Sequence, residues 1–303
     1  MVTYQADEAL LRAAVRAAAT QLDRLIVVDN STDPGSQAVV DRVAGEGQLT
    51  RDGLPPKVAE RHGNVGLSRA LNVGLTQGLV EGHSLFLLLD QDSVLGPGAV
   101  PTLVDGYLRL SARFPAVELA ARNIEEIPSL LQSLLEQEFY RYARGETPDL
   151  RRCPLAMTSG LLLDSRVLKR TGLFDESLFL DAVDSEFCLR SWRIGVPLYL
   201  VPAATIRHAL GRPSRLRWGP LFFELREADE RRLYYSTRDT LKVVRRHWRV
   251  RPFICGTLLG FVGARAVVYG LLNRRVPGGF QAIRKGLVEF LRSDDRPVIP
   301  KAV

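Results

Sequence analysis

The sequence has 303 residues and 46% of them are hydrophobic, so the chain can bury a large core without disulfides or a structural metal. Its three cysteines, Cys153, Cys188 and Cys255, lie tens of residues apart, which excludes a Cys-x-x-Cys zinc or redox site. The net charge of +7 is unevenly distributed, because residues 1–209 hold 21 Lys and Arg against 26 Asp and Glu, whereas residues 210–303 hold 20 against 8.

The first helical pattern covers residues 9–22, where apolar residues recur at helical spacing. Arg12 and Arg16 interrupt this apolar stretch and no basic leader precedes it, so it does not match a secretory signal peptide. We therefore expect the protein to stay in the cytoplasm.

Two short apolar runs, over residues 25–28 and 85–89, each end abruptly in Asp. Such runs are typical of buried parallel strands whose carboxyl ends face a ligand. A helical pattern precedes each run, and the second pattern has a leucine at every fourth position from Leu67 to Leu79. This alternation predicts an α/β fold, in which ligands bind beyond the carboxyl ends of the strands. The polar residues at those ends are Asp29, Asn30, Asp90 and Asp92.

Further elements are predicted after residue 98. Helices are expected over 100–111, 129–142 and 184–194, the last ended by Gly195, and strands over 158–163 and 198–201, the last followed by Pro202. A polar loop is expected over 145–154. Residues 211–220 mix Gly, Pro and Arg, which predicts a mobile loop near the site.

The apolar segment 253–272 raises the question of a membrane span. Arg265 lies inside it, and a central Arg costs about 2.5 to 3.5 kcal/mol on insertion scales. We therefore favour a helix that lies on the membrane surface or packs on the catalytic core. The basic charge around it suits an anionic membrane, nucleic acid or a phosphate-bearing substrate, and an ordinary solvated face explains it as well. Interleaved aromatics and a recognition helix are not evident, so we do not expect nucleic acid as a partner.

The sequence Asp90-Gln91-Asp92 places two carboxylates just past an apolar strand. There they can share a hard cation with the diphosphate of a nucleotide, and Mg²⁺ or Mn²⁺ would keep open positions for the phosphates. An ordinary acidic turn is the alternative. Asp29 and Asn30 can bond a base or ribose, or can close the strand as an Asx turn. Asn64, Gly66 and Ser68 open a helix, where an anion or simple capping fits equally well.

Asp181, Asp184 and Glu186 form an acidic group beside the start of a helix. Asp181 and Asp184 share one face at i, i+3, whereas Glu186 is turned away. A carboxylate there stays ionised, as a base that accepts a hydroxyl proton must, although charging of a helix N-terminus explains the same residues. His208 follows a strand-like stretch, and a lone histidine is more often structural than a ligand.

Taken in order, these residues resemble the inverting glycosyltransferases of family 2, and most of all the bacterial rhamnosyltransferases within it. The resemblance covers residues 3–291. It rests on the ordered motifs Val27-Val28-Asp29-Asn30-Ser31, Asn64-Val65-Gly66, Leu88-Leu89-Asp90-Gln91-Asp92-Ser93, Thr158-Ser159-Gly160, Gly172-Leu173-Phe174-Asp175-Glu176, the run from Phe179 to Arg190, His208, and Tyr234-Tyr235-Ser236-Thr237-Arg238.

The resemblance implies a GT-A fold, a Rossmann-like mixed α/β sheet flanked by helices with a helical basic C-terminal extension. Residues 1–98 would form the nucleotide-sugar-binding half and 99–210 the acceptor-binding half of a catalytic domain, with 211–303 as the extension. It implies donor binding by Thr3, Tyr4, Asp29, Asn30, Asn64, Gly66, Asp90 and Gln91. Asp90, Asp92 and His208 would bind the metal, and Asp184, or else Asp181, would be the catalytic base. Ser159, Gly160 and Arg238 would meet the acceptor or the diphosphate.

By the same resemblance, the donor would be dTDP-L-rhamnose, with a UDP-hexose as the alternative. The acceptor would be a lipid-diphosphate-linked glycan or a polysaccharide in cell-surface glycan synthesis, met at the inner face of the plasma membrane. The family has a longer apolar first strand, so we predict that the true start lies upstream or that this strand is short. Asp239 stands where relatives usually carry Asn, and no role is assigned to it.

Overall fold

The computed structural model describes residues 1–46, 48–59, 61–124, 149–208, 213–218, 221–226, 229–269 and 278–302. The helix predicted over 129–142 lies outside the described residues. Most other predicted helices are confirmed within a few residues of their expected bounds. The helices are α1 (Glu8–Ala19), α2 (Pro34–Gly45), α3 (Leu67–Val80), α4 (Ala99–Ser111), α5 (Ser165–Thr171), α6 (Val183–Arg193), α7 (Glu230–His247), α8 (Pro252–Val267) and α9 (Gly279–Arg292).

The strands are β1 (Val2–Thr3), β2 (Ile26–Asp29), β3 (Lys57–Val58), β4 (Leu85–Leu87), β5 (Ser93–Leu95), β6 (Glu118–Asn123), β7 (Arg151–Arg152), β8 (Leu161–Asp164), β9 (Leu198–His208), β10 (Pro213–Trp218) and β11 (Leu221–Arg226).

Most of these strands form a mixed sheet in two sections. In the smaller section β3, β2 and β1 pair in parallel. The larger section has the order β4-β8-β6-β9-β5, with β7 paired to β9. A bridge between Val2 and Asp90 connects the two sections. The first strand is short, one of the two outcomes expected for it.

The two faces of the sheet carry separate cores because successive strand residues point to opposite sides. In β2, Val28 packs in one hydrophobic cluster and Val27 in the other; Leu88 and Leu89, which follow β4, divide in the same way. Helices α1, α2 and α4 supply the cluster on the Val27 side, whereas α3, α5 and α6 supply the other. This arrangement leaves the carboxyl ends of the strands open as a site.

Two predicted strands differ in extent or pairing from those in the structure. The predicted parallel run over 85–89 is strand only as far as Leu87, and it pairs antiparallel with β8. The strand predicted over 198–201 continues through Pro202 to His208, because a bulge between Val201 and Thr205 accommodates a residue that lacks an N–H.

Residues 213–218 and 221–226 form an antiparallel hairpin where a mobile loop was expected. The C-terminal extension is therefore helical only in part. The aromatic residues of the segment favour strands, and the Gly219-Pro220 pair between them is a turn sequence.

Helices α7 and α8 pack on the main core, and packing on the core is one of the two options expected for the segment 253–272. Val243 of α7 and Ile254 of α8 lie in the same hydrophobic cluster as Val28, and Arg265 of α8 is buried beside Asp181. Among the residues that the structure describes, no helix combines the length and hydropathy that a membrane span requires.

Glu118 of β6 is fully buried in the sheet. Burial raises the pKa of Glu118 to about 8, while Ser191 and the charge of Arg190 act in the opposite direction. The folded state thus keeps a proton that the unfolded chain releases at lower pH, so this group lowers stability as the pH rises from its ordinary pKa through about 8.

Replacing Glu118 by Gln should remove this pH dependence. We expect the fall in Tm between about pH 5 and about pH 8 to be smaller in Glu118→Gln than in the wild type, measured by thermal unfolding. The exposed Glu289→Gln is the control and should leave the wild-type dependence unchanged. Identical pH dependence in Glu118→Gln and the wild type would contradict the assignment.

Candidate active site

Asp90, Asp92 and His208 form a group that can hold a metal ion. One ligand atom from each lies within 4.8 Å of the others, and all three side chains are partly exposed. His208 Nδ1 is 3.1 Å from Asp92 Oδ1, and Nε2 is 3.7 Å from Asp90 Oδ2. The antiparallel register of β5 and β9 creates the group, because it pairs Ser93 with His208. Desolvation raises the pKa of Asp90, whereas His208 opposes the shift and Asp92 adds to it.

Polar residues behind this group fix its geometry. Ser93 Oγ lies 3.0 Å from His208 Nδ1 and also contacts Ser159 Oγ, which accepts a hydrogen bond from the Asp90 N–H. Asn123 accepts from the His208 N–H and donates to the His208 carbonyl. Ser159 and its neighbour Gly160, the residues expected at the acceptor or the diphosphate, are both buried in this structure. Sequence reasoning missed the roles of Ser93 and Asn123.

The predicted donor residues at β1 and β2 lie together. Thr3 Oγ1 donates to Asp29 Oδ1 over 2.9 Å, and Arg61 Nε donates to Asp29 Oδ2 over 2.9 Å. The Asp29 side chain is 0% exposed, whereas that of Arg61 is 26% exposed. The Tyr4 N–H donates to Gln91 Oε1 over 2.7 Å, which joins β1 to the segment between Asp90 and Asp92.

The remaining predicted donor residues meet at the start of α3. Asn30 Nδ2 donates to the Gly66 carbonyl over 3.1 Å, and Asn64 Oδ1 accepts from the Gly66 N–H over 3.2 Å. Gly66 has φ +87°, and a Cβ there would lie 2.8 Å from the Phe179 carbonyl oxygen. Only glycine therefore permits this close approach of α3 to the loop before α6.

The loop of residues 179–182 leads to Asp184 at the start of α6. Its Phe179 carbonyl accepts from the Leu67 N–H over 2.6 Å, and its Ala182 has a left-handed φ of 62°. A non-glycine residue in that conformation costs about 1 to 3 kcal/mol, so the surrounding contacts must impose it. Asp184 is partly exposed at the end of this loop.

The charge of the metal group acts on the Asp184 carboxyl group. Desolvation raises the pKa of Asp184 to about 6, the Ser185 N–H opposes the shift, and the charges of Asp181 and Asp90 add to it. Because a carboxylate charge shifts a neighbouring pKa only at short range, Asp184 lies near Asp90 and therefore near the three potential metal ligands.

Asp239, to which the sequence assigned no role, holds the loop before α6. Its Oδ2 accepts from the Phe179 N–H over 2.8 Å and from the Leu180 N–H over 3.3 Å, and its side chain is 0% exposed. Arg238 pairs with Asp239 and stacks over the rings of Tyr234 and Tyr235, with 14% of its side chain exposed. Arg238 neutralises the charge of Asp239, so an acid at this position can hold the loop through its two hydrogen bonds.

Glu186 points away from the cleft, as the helical spacing predicted. It is buried with Arg190 and lies 3.7 Å from His247 Nε2. The side-chain hydrogen bond with His247 and the charge of Arg190 outweigh desolvation and lower the pKa of Glu186 to about 2. Glu186 therefore joins α6 to α7 and lies outside the candidate site.

The donor set of the metal group fits a divalent cation such as Mg²⁺ or Mn²⁺. Two carboxylates and one imidazole leave coordination positions open, which phosphate oxygens can fill. A separate carboxyl group, Asp184, lies near the metal group, and its pKa of about 6 is suitable for a general base. Chemically, the arrangement suits displacement of a diphosphate leaving group by a hydroxyl.

The chain is similar to several known proteins. The dTDP-rhamnosyl transferase RfbF of Shigella flexneri is 24% identical over 235 residues, which cover 76% of this chain and 72% of that protein. A mannosyltransferase from Pyrobaculum calidifontis, solved with GDP-Man and Mn²⁺, has a TM-score of 0.56 at 15% identity and covers 96% of this chain and 85% of that one. GalNAc-T7, solved with UDP, GalNAc and Mn²⁺, has a TM-score of 0.51 at 13% identity and covers 77% of this chain and 43% of that one.

The structural matches confirm the predicted GT-A fold, a mixed α/β sheet flanked by helices. The family model described as glycosyl transferase family 2 matches residues 1–170, more than half of the chain, and the predicted family resemblance is confirmed. The protein is thus a glycosyltransferase, and the chain belongs to glycosyl transferase family 2.

Proposed function

We propose that this protein is an inverting rhamnosyltransferase that moves L-rhamnose from dTDP-L-rhamnose to a hydroxyl of a lipid-linked or polysaccharide acceptor in cell-surface glycan synthesis. The observation that carries the proposal is the group of Asp90, Asp92 and His208, with Asp184 near enough for the charge of Asp90 to raise its pKa. The likeness to the dTDP-rhamnosyl transferase RfbF supports the choice of donor.

In this proposal Asp92, Asp90 and His208 hold Mg²⁺ or Mn²⁺, which would neutralise charge on the departing diphosphate. Thr3, Tyr4, Asp29, Asn30, Asn64, Gly66 and Gln91 form the wall of the donor pocket. Residues 1–98 would bind the donor, residues 99–210 the acceptor, and residues 211–303 would close the site as an extension.

The proposed reaction is a single displacement in which Asp184 is the base. Its carboxylate accepts the proton of the acceptor hydroxyl, and the freed oxygen pair forms a bond to the anomeric carbon. The bond from that carbon to the diphosphate breaks on the opposite side, and its electron pair leaves with the nucleoside diphosphate. The anomeric configuration is therefore inverted. Asp181, paired with two arginines, orients the loop that carries Asp184.

The donor is tested by ligand-induced stabilisation of the purified protein. In the presence of Mn²⁺, dTDP-L-rhamnose at about 100 times its Kd should stabilise the fold by about 2.7 kcal/mol. UDP-glucose at the same concentration should raise the Tm less. A larger Tm shift with UDP-glucose would contradict the choice of donor and favour a family 2 enzyme that uses a UDP-hexose.

We further propose that α9 lies against the anionic inner face of the plasma membrane, where a lipid-linked acceptor would be met. Phe280, Leu287 and Leu291 occupy one face of α9 and are 56%, 43% and 68% exposed. Arg284 and Lys285 are exposed on the same helix. Each such cation near an anionic surface adds about 1 kcal/mol of attraction.

Vesicle co-sedimentation tests this contact. The protein should bind phosphatidylglycerol vesicles better than neutral phosphatidylcholine vesicles, and Leu291→Ser should weaken that binding by about tenfold because it removes one inserted leucine. Leu108→Ser is the matched control, since Leu108 is 61% exposed on α4, in the catalytic domain. Equal vesicle binding by the two variants would contradict the proposal.

A further inference from the structure

Asp181 is shared by two arginines from the C-terminal extension. Arg265 Nη1 lies 3.3 Å from Asp181 Oδ2, and Arg232 Nη2 lies 3.4 Å from Asp181 Oδ1. One carboxylate cannot neutralise two guanidinium groups, so this cluster carries an excess positive charge. It lies beside Asp184, because the charge of Asp181 contributes to the pKa of Asp184.

The two arginines differ in the exposure of their side chains and in the contacts that hold them. Arg265 is 7% exposed and also donates to Ser236 Oγ, so it is the fixed partner of Asp181. Arg232 is 48% exposed, lies in the first turn of α7, and meets Asp181 at 3.4 Å, a long distance for a charged pair. A long side chain with such a contact can reorient at little cost.

Arg232 also lies near the predicted donor residues. The loop of residues 179–182, which Arg232 contacts at Asp181, lies against the start of α3, where the Leu67 N–H donates to the Phe179 carbonyl over 2.6 Å. Gly66 at that start is bonded to Asn30 and Asn64. Arg232 is therefore an exposed cation between the loop that carries Asp184 and the predicted donor pocket.

The proposed reaction needs a cation at this place. A divalent ion on Asp90 and Asp92 only balances those two carboxylates, whereas the diphosphate of the donor brings further negative charge and gains more as the glycosidic bond breaks. Arg238, the residue that the family resemblance suggested, is stacked and paired with Asp239. A guanidinium also matches phosphate oxygens with two parallel N–H groups.

We propose that Arg232 binds the diphosphate of the donor, moving from Asp181 to the phosphate oxygens, and that it holds the departing nucleoside diphosphate. Asp181 then pairs with Arg232 only when no donor is bound. This inference rests on the proposed function, since it takes a nucleoside diphosphate as the leaving group. It assigns a binding role to a residue of the C-terminal extension.

Titration of the purified protein with dTDP and with thymidine, both in the presence of Mn²⁺, tests the inference. Arg232→Gln should weaken dTDP binding by about 10-fold to 100-fold, the loss expected for a charge-assisted hydrogen bond, and should leave thymidine binding unchanged. Arg16→Gln removes the same charge from an exposed position on α1 and should bind both ligands as the wild type does. Wild-type dTDP affinity in Arg232→Gln would overturn the inference.

Asp181→Asn separates binding from a structural role. If Arg232 serves the diphosphate, freeing it from Asp181 should leave dTDP binding unchanged or tighter. Equal losses of dTDP affinity in Asp181→Asn and Arg232→Gln would mean that the ion pair only supports the loop, and would overturn the inference. If the wild type does not bind dTDP with Mn²⁺, the proposed function itself fails, which is a different result from failure in the Arg232 variant alone.

Discussion

Asp184→Asn is expected to lower kcat by about 10²-fold to 10⁴-fold, the usual contribution of a general base, and to leave donor affinity nearly unchanged. The substitution keeps the shape of the side chain, and the amide oxygen can still accept the hydrogen bond that the Ser185 N–H donates to Asp184 Oδ1 over 2.7 Å. It removes only the capacity to take a proton from the acceptor hydroxyl. Initial rates with saturating donor and a donor titration measure the two effects separately.

The pH dependence of kcat is a second test of Asp184 as the base. The base must be ionised, so kcat should rise with pH as Asp184 loses its proton, with a midpoint no higher than about 6. A divalent ion near Asp90 would lower the midpoint, because the repulsion between Asp90 and Asp184 would be offset. Near-normal turnover of Asp184→Asn would contradict the assignment and move the base role to Asp181.

Asp92→Ala is expected to abolish the part of donor affinity that depends on the metal. Loss of an outer-shell partner of a metal site costs about 10-fold to 100-fold in affinity, and loss of a ligand should cost at least that much. Asp92 Oδ1 lies 3.1 Å from His208 Nδ1, so the variant also removes the nearer of the two acidic neighbours of His208. Donor titrations with and without Mn²⁺ should show a large difference for the wild type and almost none for Asp92→Ala.

The matched control for that variant is Asp105→Ala, which removes an exposed carboxylate from α4. It should retain the full effect of Mn²⁺ on donor binding. Strong Mn²⁺-dependent binding in Asp92→Ala would show that Asp92 is not a ligand, and the metal group would have to be assigned to other residues.

Local patterns in the sequence were enough to predict the acidic strand ends. Asp29 and Asp90 follow apolar runs, and a polar residue at the carboxyl end of a sheet strand lies at the site in any fold of this class. The approach of His208 to Asp92 was different. It depends on the pairing of β5 with β9, two segments more than 100 residues apart, and no local periodicity specifies such a register.

The sequence also could not distinguish Asp181 from Asp184 as the base. Helical spacing predicted both on one face, but in the structure Asp181 lies in the loop before α6 and pairs with Arg232 and Arg265. Asp239 was missed for a similar reason, since its partners are backbone N–H groups about 60 residues away. The hairpin over 213–226 was missed because Gly and Pro in that segment indicated a loop more strongly than its aromatics indicated strands.

A crystal structure with Mn²⁺ and dTDP-L-rhamnose, with anomalous scattering data collected at the manganese edge, would test the central claim most directly. The account predicts one manganese peak in contact with Asp92, with Asp90 and His208 beside it and the diphosphate in its coordination sphere. The Asp184 carboxylate would then face the anomeric carbon from the side opposite the diphosphate. A manganese peak away from Asp92, or a donor whose anomeric carbon faces away from Asp184, would contradict it.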